Sequence, residues 1–412
     1  MNEYIANLKN FSRNAKLFLI GGIFSGIGMS VFQLLFNLYL KDCGKTETEI
    51  GFILSAGSLG ATIVAIPAAL MIERLHIKHI LLISTIFSAI SYGLQVYFAD
   101  ISLILFFSFM ASMFITIYRI SSAPFFMRNS SQTERIYLFS ISAAIMMGSA
   151  LIGSMIGGFL PKIIQSTFIE VTKTQSYQYA LYIAIAASLL SLIPFVAIRE
   201  DRPVPDKKTI FVRLRHYNWN LVSKLIIPKL FVGMGAGLII PFMNLYFRNV
   251  FTLESPRIGT FFSILQVFMF VGMFSAPLLS KRLGMLRSIV ITELVSIPFM
   301  FILALTSNLT IAVVAFIFRG TLMNMNTPIG SNFEMELVKR DEQALTNALS
   351  MLAWNGAWTI SAHFGGAIIE KYSFQYSFYI TIALYFCSAI SYYIFFRNVD
   401  ESKFTFKQFM SK

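Results

Sequence analysis

NLYLKDCGKTETEIG begins at Asn37, and NLYFRNVFTLESPRIG begins at Asn244. Each phrase closes a long apolar segment, turns through a short polar stretch and opens another apolar segment. The match extends upstream: Phe24–Asp42 laid on Phe231–Asn249 keeps Phe24/Phe231, Gly26/Gly233, Gly28/Gly235 and all of Asn-Leu-Tyr. Downstream, Gly148, Gly157 and Gly158 are spaced as Gly356, Gly365 and Gly366 are. A repeat of roughly two hundred residues is far longer than the ~20–50 residues of a solenoid unit. It reads as a duplicated domain.

Composition says what kind of domain. The 412 residues are 56% hydrophobic and 13% charged, with a mean hydropathy of +0.69. A soluble domain carries about 25% charged residues, so the chain belongs in a membrane. Continuous apolar runs of about 18 residues or more recur from end to end, as membrane-spanning helices require. Strands of a membrane barrel would alternate apolar and polar residues instead. Cys43 and Cys387 sit in distant segments and form neither a metal-ligand nor a redox pattern. The first apolar run is span-length with no small-residue cleavage site after it, so it is expected to be retained as a helix. The net charge of +13 points to basic cytoplasmic loops rather than to nucleic acid.

Twelve helices are expected, at about 15–41, 48–72, 77–98, 101–127, 134–161, 179–198, 220–249, 255–280, 285–307, 309–330, 342–369 and 374–397. Residues 1–198 form the first six-helix bundle, 199–219 a cytoplasmic linker rich in Pro and charge, and 220–412 the second bundle with a cytoplasmic tail. With the N-terminus inside, cytoplasmic segments hold about 23 of the 33 Lys and Arg and external loops about 7, so both termini are assigned to the cytoplasm. The flanks MNEYIANLKNF and KFTFKQFMSK mix lysines with apolar residues, and either lie along the inner interface or fray.

Six plus six helices, a basic central loop and a repeated half resemble the major facilitator superfamily of secondary transporters. The loop after helix 2 resembles that family's Gly-x-x-x-Asp-Arg-x-Gly-Arg-Arg motif. It has Ala69 for the first Gly, Glu73 for Asp, Arg74 kept, His76 for the second Gly, and Lys78. In the second copy Arg282 and Gly284 are kept and Lys281 replaces the acid. The resemblance implies a charged gate at Glu73, Arg74 and Arg282; a merely solvated turn is the other reading. GSALIGSMIGG in helix 5 resembles the glycine pattern of the family's antiporters, with Ser154 where a proline is expected. Small residues that let helices pack closely are the favoured account of it, and antiport is left unsupported by that serine.

Three basic residues remain once loops and tails are set aside: Arg119, Lys229 and Arg319, in helices 4, 7 and 10. In the fold this chain resembles, helices 1, 4, 7 and 10 line a central cavity. Each such charge costs about 2.5–3.5 kcal/mol near a helix centre, so it must snorkel, pair or face water. Glu293 is the one acid read as intramembrane, with Glu334 and Glu336 assigned to the interface. Three bases against one acid favour an anionic guest, with Arg319 as its anchor because a guanidinium binds carboxylate or phosphate through two bonds. Backbone carbonyls freed near Pro124, Pro228 and Pro328 are the alternative partners. Thr116, one turn from Arg119, Asn326, two turns from Arg319, and Gln33 and Asn37 on helix 1 complete the expected substrate-binding set.

Glu293 and His363 are candidates for a coupled proton; a buried salt bridge and a satisfied histidine are the bland readings. Trp354 and Trp358 share a helix face suited to packing. There is no P-loop pattern, so ATP hydrolysis has no visible engine, and no catalytic cluster, cofactor or metal site is expected. The chain thus reads as a secondary transporter, not an enzyme. Its two halves would alternate access to a small organic or phosphorylated anion near the bilayer midplane. An exporter of hydrophobic or lipid-like compounds is the rival. The expected partners are the substrate, the bilayer and a coupling proton or counter-substrate, with the protein monomeric in a bacterial inner membrane.

Overall fold

The computed structural model describes residues 11–168, 170–199, 218–339 and 342–399. Most of the linker and both terminal flanks read from the sequence lie outside the described residues. All regular structure among the described residues is helical. Twelve helices follow in order: α1 Arg13–Asp42, α2 Glu47–Arg74, α3 Ile77–Tyr97, α4 Ile101–Arg128, α5 Gln132–Thr167, α6 Lys173–Val196, α7 Trp219–Phe251, α8 Ser255–Leu283, α9 Met285–Leu305, α10 Leu309–Leu337, α11 Gln343–Lys371 and α12 Phe374–Phe396. Eleven of them, all but α11, are long and apolar enough to cross a membrane.

Three boundaries differ from the sequence reading by about two turns, each for a local reason. α5 runs through Pro161 to Thr167 instead of stopping at the proline. α6 starts at Lys173 because Thr172 caps it: its hydroxyl accepts the Gln175 amide while the Gln175 side chain accepts the Thr172 amide. α10 continues to Leu337, carrying Glu334 on a buried face.

Packing divides the chain into two compact units, Met1–Lys207 with Thr252–Gln266, and Lys208–Phe251 with Val267–Lys412. In the first, α1 packs against α5 and α6, α2 against α4, and α3 against α4. In the second, α7 packs against α11 and α12, and α9 against α10 and α12. The repeated Asn-Leu-Tyr keeps its role in both. Tyr39 donates its hydroxyl hydrogen to the Val96 carbonyl at 2.8 Å, just before the end of α3. Tyr246 does the same to Leu303, near the end of α9, at 2.7 Å. Each bond spans 57 residues. Even the turn that follows is matched: Gly44 takes φ +81° in the first copy and Thr252 φ +53° in the second, a strained angle for a β-branched residue.

The glycines of α5 and α11 set how closely the central helices approach. A Cβ on Gly157 would meet the Val31 backbone of α1 at 3.1 Å, and one on Gly365 would meet the Leu238 carbonyl of α7 at 2.6 Å. Four residues earlier, Gly153 lies over the Ile27 carbonyl, and Ser361 in the second copy donates a hydrogen bond to the Met234 carbonyl. Backbone-to-backbone contact of this kind drives helix association where no hydrophobic gain between helices exists.

Each unit closes around an aromatic core. Phe18 stacks on Phe125 at 4.8 Å and meets Phe126 edge-on, with Phe195 beside them. At the same end, Asn14 donates to Asn129 Oδ1 at 2.8 Å and to the Arg199 carbonyl at 2.6 Å, tying the start of α1 to the ends of α4 and α6. In the second unit Phe333 meets Phe396 edge-on at 5.3 Å.

Candidate functional site

The second unit carries two groups of largely buried polar side chains, one on α9, α10 and α12 and one on α7, α10 and α11. Arg319 points from α10 toward α12, is only 7% exposed, and donates through Nη2 to the Tyr385 hydroxyl. Its guanidinium carbon lies 5.5 Å from the same ring's centre, within cation–π range. Its Nε–H has no hydrogen-bond partner among the described residues.

Glu293, on α9 and 1% exposed, accepts a hydrogen bond at Oε1 from Asn326 Nδ2 of α10 at 3.2 Å. Among the described residues, Asn326 Oδ1 has no hydrogen-bond partner, and the second Glu293 oxygen and the buried Ser388 hydroxyl have none with good geometry. Ser388 lies beside the Glu293 carboxyl, and Tyr385 is within electrostatic reach of both Arg319 and Glu293. Two residues read from the sequence into different roles, Asn326 for substrate and Glu293 for a proton, are therefore bonded to one another.

Lys229 is likewise engaged. Its ammonium meets Glu334 Oε1 at 2.5 Å, and Ser350 of α11 donates to Glu334 Oε2 at 3.3 Å. Glu334 is 1% exposed, which corrects its assignment to the interface. Among the described residues of the second unit, half-buried Lys229 and buried Arg319 are thus matched in number by two buried acids, Glu293 and Glu334. A buried pair whose lone pairs are also hydrogen-bonded is the arrangement in which desolvation is best offset.

In the first unit Arg119 is exposed on α4 and carries no ion pair among the described residues. Tyr92 and Tyr118 feel its charge. It lies nine residues, about 13 Å of helix, from the end of α4. Thr116 is half-buried on the same face. The polar stripe read on α1 is divided: Asn37 is buried at 4% exposure, Gln33 is exposed, and Ser30 donates to the Gly26 carbonyl. A cavity of about 20 Å³ among α1, α3, α4 and α6, large enough for one water, is lined mainly by apolar surface from Met29, Phe32 and Ile115, with Ser25, Thr85, Ser88 and Ser188 at its edge.

His363 is exposed on α11 with its ring against Phe364. Arg282 is exposed at the end of α8; Glu73 and Arg74 end α2, and their side chains lie outside the described residues. Trp354 and Trp358 are in ring contact at 6.1 Å.

Tyr385, Ser388 and Ser350 escape the sequence reading, which names Glu334 but puts it at the interface. A signal existed for the first two. Ser377, Thr381, Tyr385, Ser388 and Tyr392 recur every three or four residues along an otherwise apolar α12, and all five are buried. Thr381 uses its hydroxyl to reach the Gly235 carbonyl of α7 at 2.9 Å.

The architecture has many solved counterparts. A bacterial homologue of the human lysosomal transporter Spinster superposes with a TM-score of 0.75 at 14% identity, covering 92% of this chain and 96% of that one. The nucleoside transporter NupG gives 0.76 at 13%, covering 94% and 100%. A bacterial homologue of the iron transporter ferroportin gives 0.71 at 13%, covering 92% and 98%. Such identities speak for the fold alone. No curated protein matches the sequence significantly. The family model for the Major Facilitator Superfamily matches residues 18–362 and again 233–409. With that match running through both repeats, the chain belongs to the Major Facilitator Superfamily and is a multi-pass membrane transporter, not an enzyme.

Proposed function

We propose that the protein is a secondary transporter of a small organic or phosphorylated anion, held by Arg119 and moved by alternating access of the two six-helix halves, residues 1–198 and 220–412, joined by the 199–219 linker. The concentration of Lys and Arg in the loops assigned to the inside supports both termini facing the cytoplasm, in what we read as a bacterial inner membrane. The observation that carries the reading is the contrast among the three intramembrane bases. Lys229 and Arg319 are occupied by Glu334 and Tyr385, whereas Arg119 is exposed with no acid paired to it among the described residues. An unpaired guanidinium on a membrane-spanning helix is costly unless it reaches water or something negative visits it, and a water-filled substrate path supplies both. The anchor is thus moved from Arg319, favoured by sequence, to Arg119. Lys229 and Arg319 serve the internal order of the second half.

Purified protein would be melted against carboxylates, sugar phosphates, organic cations and neutral amphiphiles, beside Arg119→Ala. A compound at 100 times its dissociation constant stabilises by about 2.7 kcal/mol. Particular anions should stabilise the wild type and lose that effect in the variant. Equal stabilisation of both proteins by cations or neutral amphiphiles would overturn the anion reading in favour of the hydrophobic exporter.

A further inference from the structure

Among the described residues, α11 is the one helix of the twelve that lacks a stretch apolar enough to cross a membrane. Its polar residues are not scattered. Ala357, Ser361 and Gly365 face α7: Ala357 Cβ lies beside Gly233, Ser361 donates to the Met234 carbonyl, and Gly365 abuts the Leu238 backbone. At about 100° per residue, Gly356, Thr359 and His363 fall on the opposite side, with Asn355 at the edge next to Thr359. Asn355 and Thr359 are half-buried and His363 is exposed. A Cβ on Gly356 would meet nothing within 4 Å, so this side has room beside it. The free surface of α11 therefore has two parts. Ile360 and Phe364, 56% and 55% exposed, form an apolar flank that suits hydrocarbon. Next to it an amide, a hydroxyl and an imidazole occupy the central turns of a 29-residue helix, where lipid offers polar groups no partner. Water suits that strip, and lipid does not.

We propose that Asn355, Thr359 and His363 line a wet substrate path and set specificity by hydrogen-bonding hydroxyl groups of the guest, which is then a hydroxylated anion such as a sugar phosphate or a hydroxy acid. The strip carries no carboxylate, lysine or arginine; the next charge on this side, Glu370, is seven residues beyond His363. An amide, and an imidazole when uncharged, each offer both donor and acceptor. The Thr359 hydroxyl gives its hydrogen to the Asn355 carbonyl at 2.8 Å and keeps a lone pair with which to accept. All three side chains have further contacts in the folded chain, so the argument stands on their position and their mixed chemistry. Mixed donors and acceptors match a hydroxyl, which both gives and takes a hydrogen bond. They match a bare carboxylate or phosphate poorly, because those groups only accept. The charge of the guest is left to Arg119, and the strip reads its uncharged part.

The hydroxylated guest deepens the anion reading and rests on it, whereas the wet strip does not; two measurements keep them apart. For the strip, Thr359→Cys, His363→Cys, Ile360→Cys and Phe364→Cys are each made on a Cys43→Ser, Cys387→Ser background and reconstituted in liposomes. A charged, water-soluble methanethiosulfonate should modify the first two about tenfold faster than the last two, since a hydrated thiol ionises to the reactive thiolate. Equal rates at all four, or slower reaction at Thr359→Cys and His363→Cys, would give this side of α11 to lipid and overturn the strip. For the guest, thermal shifts are compared for a hexose phosphate and gluconate against inorganic phosphate and succinate. Thr359→Val keeps the shape of the side chain and should weaken the two hydroxylated anions about tenfold, the worth of one hydrogen bond. Inorganic phosphate and succinate should bind it as they bind the wild type, and Arg119→Ala should weaken all four. The melting temperature without ligand checks the fold of each variant, and Asn355→Leu repeats the comparison at a second position. If both strip variants weaken all four anions alike, or none, or if neither hydroxylated compound stabilises the wild type, the hydroxyl reading is overturned. Hydroxylated compounds that still bind Arg119→Ala but weaken in Thr359→Val would sink the anion reading and leave the strip standing.

Discussion

Lys229→Met removes one side of a buried ion pair and strands the other. Glu334 is 1% exposed, so its carboxylate cannot reach water when Lys229 is gone. Breaking a buried pair costs about 3–5 kcal/mol; since 23% of the Lys229 side chain is already exposed, the lower end, about 3 kcal/mol, is the expected figure. The opposite deletion is milder. Glu334→Gln keeps an oxygen for Ser350 and leaves an ammonium that can extend toward its open side, for a cost of about 1–2 kcal/mol. The double variant should cost less than Lys229→Met alone, because no charge is left uncompensated. Three kcal/mol is roughly a 150-fold change in the ratio of folded to unfolded protein. All three tryptophans, Trp219, Trp354 and Trp358, lie in the second unit, so their fluorescence during denaturation in detergent follows the affected half directly. Two results would refute the reasoning: Lys229→Met within about 0.5 kcal/mol of wild type, or a double variant equal to the sum of the singles within the usual ~0.5 kcal/mol for independent sites.

Other substitutions probe the repeat and its orientation. Gly365→Ala should destabilise by about 1–3 kcal/mol because its Cβ meets the Leu238 backbone, whereas Gly356→Ala, with open space around it, should gain up to about 1 kcal/mol of helix propensity; tryptophan-monitored unfolding reads both. Tyr246→Phe leaves the Leu303 carbonyl unpaired and should cost about 1–3 kcal/mol by the same measurement. Cys43, at the exposed turn after α1, should react with an impermeant maleimide on intact cells, and Cys43→Ser should abolish that labelling. Burial pushes its thiol above the ordinary range, so the thiolate population and the labelling rate should still be climbing at pH values where a free thiol has levelled off. Labelling only after permeabilisation would reverse the assigned orientation.

The repeat was legible because duplication preserved the residues that backbone packing constrains most tightly. Asn-Leu-Tyr and the paired glycines announce themselves in one dimension. Hydropathy located the spans for the same reason, since lipid acts on every residue of a helix alike. Charge pairing was not legible. Lys229 and Glu334 are 105 positions apart, and a window read along α10 cannot tell that the last turn of an apolar helix turns inward. Arg319 was readable as an anomaly, yet its partner Tyr385 lies 66 residues away. Tyrosines are so common in membrane helices that one more carries no signal by itself. The hydroxyl stripe of α12 was visible in periodicity, but hydroxyls in lipid usually bond to their own helix, as Ser391 does to the Cys387 carbonyl.

The two tyrosine bonds have a bearing on how the chain is made. Each closes a loop of the same length within its own half, so the entropic toll of closure is the same for both and neither closure waits on the other. Synthesis runs from the N-terminus, and domains tend to fold as they emerge. Tyr39 and Val96 are both available more than one hundred residues before Tyr246 is added. The first half can therefore tie itself shut in the bilayer while the second is still being threaded in, and a defect in the later copy need not undo the earlier one.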